Sequence, residues 1–236
     1  MSNDFAPLEP HGPLRPLFEH VWTLTGSVQM MPLVRIPRTM TVLRRGDELV
    51  LINAVRVDDA ALTELKALGR IAHVVRIGMH GMDDAWYVRE QGATLWALPG
   101  VQHGRGLSTD EELRADHLPC GGLNLFVFEL TKLPEGALLI DGDGGVLVTC
   151  DSVQNWVDTE GCSVLGGLVT RMMGFVKPAQ IGPPWRKAQT PGGGSLEPDF
   201  RRLVDLDFKH LVGGHGVPLR DSARDRLQET LERTFA

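Results

Sequence analysis

Cysteine is scarce in this chain of 236 residues, which contains only Cys120, Cys150 and Cys162. Three widely spaced thiols cannot build a disulfide framework, and no CxxC pair is present to hold a structural zinc ion. The scarcity of cysteine is typical of a reduced environment. We therefore expect a cytoplasmic protein.

The sequence also lacks a basic excess and a long apolar run. Lys and Arg number 24 against 30 Asp and Glu, which gives a formal charge of −6. Nucleic-acid binding depends on clustered Lys and Arg, so no nucleic-acid partner is expected. No segment reaches the roughly 18 apolar residues of a membrane span, and residues 1–10 lack the basic and apolar parts of a secretory signal. These absences predict a soluble protein with a small-molecule substrate or ligand and no membrane partner.

What the sequence does contain is enough apolar material for a sizeable core. Apolar residues make up 42% of the chain, and the length lies at the upper end of one ordinary domain. Gly and Pro divide the sequence into short pieces without an internal repeat. We expect a single domain over residues 1–236, with a Pro-rich extended segment over residues 1–16.

Strand and helix patterns alternate in the first half of the chain. Helices are predicted at Asp58–Leu68, where Asp58 or Asp59 can cap the start, and at Asp84–Gln91. The predicted strands are Val21–Thr25, Thr39–Leu43, Glu48–Asn53, Ile71–Ile77 and Thr94–Ala97. This order implies a partly parallel sheet with helices packed on it.

The second half begins with an antiparallel pattern and ends with helices. Asp141 to Gly145 is a strong hairpin turn, and Val176–Ser195, rich in Pro and Gly, is predicted to be a long loop. The predicted strands are Leu123–Leu130, Gly136–Asp141 and Val146–Thr149, and the predicted helices are Cys162–Phe175, Leu196–Leu206 and Asp221–Phe235.

Five polar residues stand in segments that follow predicted strands, where loops can converge at one end of a sheet. They are His80, Asp84, His117, Asp151 and His215. Each has an ordinary explanation when taken alone. A single histidine is more often hydrogen-bonded than metal-bound, and an aspartate that opens a helix is favoured by the helix dipole. Only the order and context of the whole set point to a site.

The four segments that hold these residues resemble the motifs of the metallo-β-lactamase superfamily. His80-Gly-Met-Asp-Asp84-Ala85 takes the place of HxHxDH, and His117-Leu-Pro-Cys-Gly121 that of HTPGS. Cys150-Asp151 takes the place of the aspartate after the strand-turn-strand meander, and Gly214-His215-Gly216 that of the last GHG-like turn. The resemblance extends from about Thr39 to the last helix and implies an α/β (α+β) fold, the four-layer αββα sandwich.

Two departures from the family pattern bear on the chemistry. Met82 and Ala85 stand where the family has histidines, and neither replaces an imidazole as a ligand for Zn²⁺, Fe²⁺ or Mn²⁺. The resemblance then implies at most a mononuclear site with one Zn, Fe or Mn ion. Its candidate ligands are His80, Asp84, His117, Asp151 and His215, with Asp84 and Asp151 as candidate catalytic carboxylates.

Two functions follow from these residues. Three N or O ligands and a water suffice for a catalytic zinc, so a hydrolase acting on an ester, thioester, lactone or phosphoester is one hypothesis. The other is a non-catalytic small-molecule binding or regulatory protein without metal. In that case Asp84 and Asp151 would repel each other, and one would have a raised pKa or pair with a histidine.

Overall fold

A computed structural model describes residues 5–236 of the chain. The helices are α1 (Asp59–Leu68), α2 (Asp84–Gln91), α3 (Val164–Met172), α4 (Pro183–Gln189), α5 (Glu197–Val204) and α6 (Ala223–Phe235). The strands are β1 (Arg15–Phe18), β2 (Val21–Met31), β3 (Val34–Arg45), β4 (Glu48–Ile52), β5 (Arg70–Arg76), β6 (Thr94–Ala97), β7 (Glu111–Glu112), β8 (Leu123–Val127), β9 (Gly136–Ile140), β10 (Val146–Thr149), β11 (Val153–Gln154), β12 (Gln180–Ile181) and β13 (His210–Val212).

The first half of the chain forms a seven-stranded sheet in the order β1-β2-β3-β4-β5-β6-β7. Strands β1 to β4 are antiparallel neighbours, whereas β4, β5, β6 and β7 pair in parallel. Helices α1 and α2 form the crossovers that parallel pairing requires. The predicted partly parallel sheet is thus confirmed.

The second half forms a four-stranded sheet in the order β13-β10-β9-β8. Strands β8, β9 and β10 make the predicted antiparallel meander, and β13 joins β10 in parallel. The β9–β10 turn needs glycine, because Gly145 has φ +87° and a Cβ there would lie 2.4 Å from the Asp207 carbonyl oxygen.

Three apolar clusters separate four layers. One lies between the first sheet and helices α1 and α2, with Leu65 and Tyr87 at its centre. A second fills the space between the two sheets, and includes Val50 and Leu138. The third lies between the second sheet and helices α4, α5 and α6, around Phe200. This is the αββα sandwich, as predicted.

Helix α1 shows how local sequence sets an element. The Asp58 side chain accepts a hydrogen bond from the Ala61 backbone N–H at 2.9 Å, which satisfies one of the free donors of the first turn. The helix buries Ala61 and Leu65 and ends at Gly69. Asp58 is therefore the capping residue of the two that the sequence offered.

The prediction of a long loop over Val176–Ser195 is wrong in part, because this segment contains β12 and α4. Helix α4 begins with Pro183 and Pro184, and proline is tolerated in the first turn, where its missing N–H has no intrahelical partner. Of the predicted extended segment at 1–16, residues 1–4 lie outside the described part of the chain, and β1 already begins at Arg15.

Within residues 5–236, no helix has the length and apolarity needed to cross a membrane.

Candidate metal site

Three turns at one end of the two sheets deliver the candidate ligands. The turn after β5 carries His80, the turn after β10 carries Asp151, and the turn after β13 carries His215. Because β10 and β13 are parallel, their carboxyl ends lie at the same edge. The first sheet is fastened to this edge by the Asn53 side-chain amide, which donates to the Thr149 carbonyl oxygen at 2.9 Å.

His80, Asp151 and His215 form a compact triangle. Nε2 of His80 lies 3.3 Å from Oδ1 of Asp151 and 3.1 Å from Nε2 of His215. The third side, from Nε2 of His215 to Oδ1 of Asp151, measures 3.2 Å. Over residues 5–236, this is the only group of three or more His, Cys, Asp or Glu side chains whose ligand atoms lie within 4.8 Å of one another.

The His215 ring is held with one nitrogen facing this triangle. Its Nδ1 lies 2.7 Å from the Pro37 carbonyl oxygen, and a carbonyl only accepts, so Nδ1 carries the proton. With Nδ1 committed to this carbonyl, Nε2 is the nitrogen of His215 that faces Asp151 and His80, and an ion bound there would take the place of its proton. The ring also stacks on Trp156, with centroids 6.2 Å apart and planes 17° from parallel. A carbonyl behind the distal nitrogen is the usual way in which proteins orient a metal-binding imidazole.

The Asp151 carboxylate is ionised by its two histidine neighbours. Burial opposes its ionisation, but the charge of His80 and hydrogen bonds from His215 and His80 outweigh that effect and hold the pKa of Asp151 well below its usual value. A metal ion bound between this carboxylate oxygen and the two imidazole nitrogens would replace the histidine protons as the positive partner of Asp151.

The donor set fits a divalent metal. Zinc–ligand distances of 2.0–2.1 Å and tetrahedral angles require ligand atoms about 3.3–3.4 Å apart, close to the 3.1 to 3.3 Å sides of the triangle. Imidazole nitrogen and carboxylate oxygen suit Zn²⁺, Fe²⁺ and Mn²⁺ alike. His80, Asp151 and His215 would hold the ion, and a fourth position would remain open.

Asp84, the fourth predicted ligand, lies outside this group of three side chains. Its side chain is 1% exposed, and its Oδ2 atom has no hydrogen-bond partner within the described chain. Burial raises the pKa of Asp84 to about 7, an effect that Arg76 opposes and Asp83 increases. Among the five predicted ligands, one carboxylate thus pairs with histidines while the other has a raised pKa.

His117, the fifth predicted ligand, is placed in different surroundings. Its Nε2 lies 2.8 Å from a Glu111 carboxylate oxygen, and its ring packs on Trp96 with centroids 4.9 Å apart. The side chain is 39% exposed. The structure therefore brings three of the five predicted residues together and leaves Asp84 and His117 outside that group.

Glu135 was missed by the sequence reasoning, although it touches two of the turns that form the site. Its fully buried Oε1 accepts hydrogen bonds from the backbone N–H groups of Asp151 and Ser152, at 3.2 and 3.1 Å. A Cβ at Gly78, in the turn that leads to His80, would lie 2.3 Å from Oε2. Burial and the Asp151 charge raise the pKa of Glu135 well above its usual value. In sequence, Pro134-Glu135-Gly136 looks like an ordinary exposed turn.

Cys150 precedes Asp151 but is a poor nucleophile. Its thiol is fully buried, and burial together with the charges of Asp151 and Glu135 raises its pKa well above the usual value. The Cys150 side chain belongs to the core between the two sheets.

A cavity of about 640 Å³ lies behind the His215 turn. Its walls include Thr25 of β2, Arg35 and Pro37 of β3, Trp156, and Val217. Trp156 contacts the cavity on one side and the His215 ring on the other. The three ligand side chains themselves do not line it.

Solved metallo-β-lactamases have the same fold as this chain. The metallo-β-lactamase from Hirschia baltica is 16% identical with a TM-score of 0.63, over 94% of this chain and 97% of that one. FIM-1 from Pseudomonas aeruginosa, solved in a mono-zinc form, is 14% identical with a TM-score of 0.60, over 96% and 97%. The enzyme from Erythrobacter litoralis is 12% identical with a TM-score of 0.61, over 95% and 96%.

No protein-family model matches the sequence, and no curated protein matches it. At these identities the likeness to solved enzymes establishes the fold alone. The resemblance drawn from the four motifs is therefore confirmed as a resemblance of fold, and the chain has the fold of the solved metallo-β-lactamases.

The raised pKa of Asp84 gives a pH prediction for chelator-treated protein. Between the unfolded pKa near 3.9 and the folded value of about 7, the native state keeps a proton that the unfolded state has lost. The unfolding free energy should therefore fall as pH rises through this window, by about 1.4 kcal/mol per pH unit from this group, and level off above it.

Asp84→Asn removes this contribution and serves as the reference. Urea denaturation of both proteins at pH 4.5, 5.5 and 6.5 should show the wild type losing stability relative to the variant as pH rises. A constant difference between the two proteins would contradict the raised pKa that burial gives the Asp84 carboxyl group.

Glu135 gives a second prediction. Glu135→Ala removes the acceptor of two buried N–H groups, each of which costs about 1–3 kcal/mol when left unsatisfied, so the unfolding free energy should drop by about 3 kcal/mol. Glu135→Gln keeps an acceptor oxygen and should cost less than half of that. The exposed Glu129, paired with Arg202, is the control, and Glu129→Ala should change stability by less than about 1 kcal/mol. Equal losses for Glu135→Ala and Glu129→Ala in chemical denaturation would rule out the anchoring role.

Proposed function

We propose that this protein is a metal-dependent hydrolase with a mononuclear centre held by His80, Asp151 and His215. The observation that carries the proposal is the triangle of two imidazole nitrogens and one carboxylate oxygen, with sides of 3.1 to 3.3 Å. The fold adds support, because the solved proteins described above are metallo-β-lactamases and one of them was solved in a mono-zinc form.

A divalent zinc, iron or manganese ion at this point would supply a Lewis acid for a carbonyl or phosphoryl oxygen and would lower the pKa of a water molecule to about 7. Asp151 contributes the negative charge that attracts the ion, and its ionisation is maintained by the neighbouring histidines. His215 contributes a nitrogen whose direction is fixed by Pro37 and Trp156. We assign Asp84 neither a ligand role nor a catalytic role, because its carboxyl group is buried and lies outside the group formed by His80, Asp151 and His215.

The substrates proposed are compounds with a hydrolysable ester, thioester, lactone or phosphoester bond. These share a carbonyl or phosphoryl oxygen that a Lewis acid polarises. β-Lactam hydrolysis is not proposed in particular, since one fold hosts many chemistries and the site decides among them. The exposed side chains of Met79 and Met82, on either side of the His80 turn, offer apolar contact to such a substrate.

The second candidate is a metal-free small-molecule binding or regulatory protein. One observation favours it: the 640 Å³ cavity lies next to Trp156 and not at the ligand triangle. Without a metal, His80, Asp151 and His215 would form a hydrogen-bonded cluster that supports the wall of this cavity. Metal content separates the two functions.

The metal prediction needs protein purified without chelator and without a metal-affinity column. Elemental analysis should find about one equivalent of zinc, iron or manganese, and Asp151→Ala or His215→Ala should reduce it to background. His117→Ala is the matched control, because its imidazole lies against Glu111 and should not affect metal content. Wild type and His117→Ala should hydrolyse a p-nitrophenyl ester, and Asp151→Ala and His215→Ala should not. Full metal content in the Asp151→Ala, His215→Ala double variant would refute the ligand assignment, and metal-free wild type would leave only the binding function.

Gly214 provides a separate prediction. A Cβ at this position would lie 2.8 Å from Cε1 of His80 and 2.7 Å from the Cys150 carbonyl oxygen. Gly214→Ala should therefore push the His80 ring from its place and weaken zinc binding at least tenfold, measured by competition with a chromophoric chelator. Gly192→Ala, where a Cβ meets nothing within 4 Å, should leave the affinity unchanged. Equal zinc affinities in the two variants would count against His80 as a ligand.

A further inference from the structure

A short segment of β3, residues 37–39, contacts two of the three turns that carry the candidate ligands. Strand β4 pairs with β3 from Thr41 to Arg45. In an antiparallel strand every second residue directs its backbone groups to the same edge, so Pro37 and Thr39 continue the edge on which β4 ends. Buried backbone groups need hydrogen-bond partners, and here the turn after β13 supplies them.

Three hydrogen bonds join this segment to the His215 turn. The Pro37 carbonyl oxygen lies 2.7 Å from Nδ1 of His215. The Thr39 N–H donates to the Gly214 carbonyl oxygen at 2.8 Å, and the Thr39 hydroxyl donates to the Gly216 carbonyl oxygen at 3.2 Å. The position of His215 is therefore set by the residues on either side of position 38.

The residue between them, Arg38, binds a different turn. Side chains alternate along a strand, so Arg38 lies on the face of β3 that also carries Met40 and packs against helices α1 and α2. Its side chain is 6% exposed and forms an ion pair with Asp83, whose side chain is 1% exposed. The Asp83 carboxylate also accepts from the Arg56 backbone N–H at 2.7 Å. A buried charge that loses its partner is strongly destabilised, so Arg38 and Asp83 constrain each other.

Asp83 belongs to the turn that carries His80 and directly precedes α2. Its carbonyl oxygen accepts from the Trp86 N–H at 3.1 Å, which ties it to the first turn of that helix. Gly81, between His80 and Asp83, lies against the Arg76 guanidinium, where a Cβ would be 2.5 to 2.7 Å from three atoms. The turn has little room to adjust, so a displacement of Asp83 reaches His80.

We propose that Arg38 and Asp83 are a positioning pair for the centre. Their ion pair attaches the His80 turn to the segment of β3 that also holds His215, and so maintains the 3.1 Å separation of the two Nε2 atoms. Both residues act through the backbone and are not themselves ligands. Zinc binding by the two nitrogens rests on the proposed function, whereas the positioning of the two rings does not.

The chain offers a matched control in Asp199 of α5. This carboxylate also accepts from an arginine and from a backbone N–H, those of Arg202 and Leu130, both at 2.8 Å. Its side chain is 2% exposed, and α5 packs on the outer side of the second sheet. Loss of the Asp199 carboxylate should destabilise the protein without moving the His80 and His215 rings.

The first test is zinc affinity, measured by competition with a chromophoric chelator. Asp83→Ala and Arg38→Met should each weaken zinc binding at least tenfold, because His80 loses its fixed position. Arg38→Lys keeps a positive charge beside Asp83 and should restore the affinity to within threefold of wild type. Asp199→Ala should change it less than twofold. Wild-type affinity in Asp83→Ala and Arg38→Met, or an equal loss in Asp199→Ala, would overturn the proposal.

The second test needs no metal. In chelator-treated protein, long-range ¹H–¹⁵N correlation spectra report the imidazole nitrogens directly. Asp83→Ala and Arg38→Met should shift the ring resonances of His80 and leave those of His73, which contacts Trp96, in place. Asp199→Ala should shift neither. Unshifted His80 resonances in the first two variants would overturn the positioning role.

If neither Asp83→Ala nor Arg38→Met folds, Asp83→Asn takes their place, because it keeps the size of the side chain and removes its charge. At least a threefold loss of zinc affinity and a shift of the His80 resonances are then required, and the absence of both would overturn the proposal. If wild type binds no zinc, iron or manganese, the proposed hydrolase fails. The imidazole spectra then decide alone whether Arg38 and Asp83 position His80.

Discussion

The central interaction in this protein is the contact of one partly buried carboxylate with two imidazoles. Asp151 is ionised in surroundings that oppose its charge, because His80 and His215 stabilise the negative form. This charge makes the end of the sandwich attractive to a divalent ion. It also links three turns from distant parts of the chain.

Several backbone contacts fix the triangle. The Gly214 N–H donates to the Cys150 carbonyl oxygen at 2.9 Å, and the Gly214 carbonyl oxygen accepts from the Thr39 N–H at 2.8 Å. Glu135 holds the Asp151 turn from beneath through two N–H groups. Glycine is needed at Gly214 because the His80 ring and the Cys150 carbonyl oxygen occupy the space of a side chain. The geometry of the site is thus set by the packing of main chain against side chain.

Three acidic groups, Asp151, Glu135 and Asp84, differ in the surroundings that set their pKa. The histidines hold the pKa of Asp151 low, burial and the Asp151 charge raise the pKa of Glu135, and burial raises the pKa of Asp84 to about 7 against the opposing effect of Arg76. Buried carboxyl groups of like charge cannot all be ionised without cations. Among residues 5–236, only the carboxylate that meets two imidazoles belongs to a group of three candidate metal ligands.

The sequence by itself determined most of the strands and helices and the order of the motifs, and the resemblance that these motifs carry implied the αββα architecture. Alternating and helical apolar patterns are local properties, so Thr94–Ala97, Val146–Thr149 and the helix after Asp58 were predicted within a residue or two. The segments that carry His80, Asp151 and His215 were also identified by their position after strands. The proximity of these three side chains could not be derived from their separation in the sequence, since it depends on how the two sheets pack. His117 and Asp84 looked equivalent to the other candidates in sequence, and Glu135 and Arg76 looked unremarkable. Only the tertiary structure decided which side chains lie close together. Burial and interactions between charges arise from contacts between residues that are far apart in the chain.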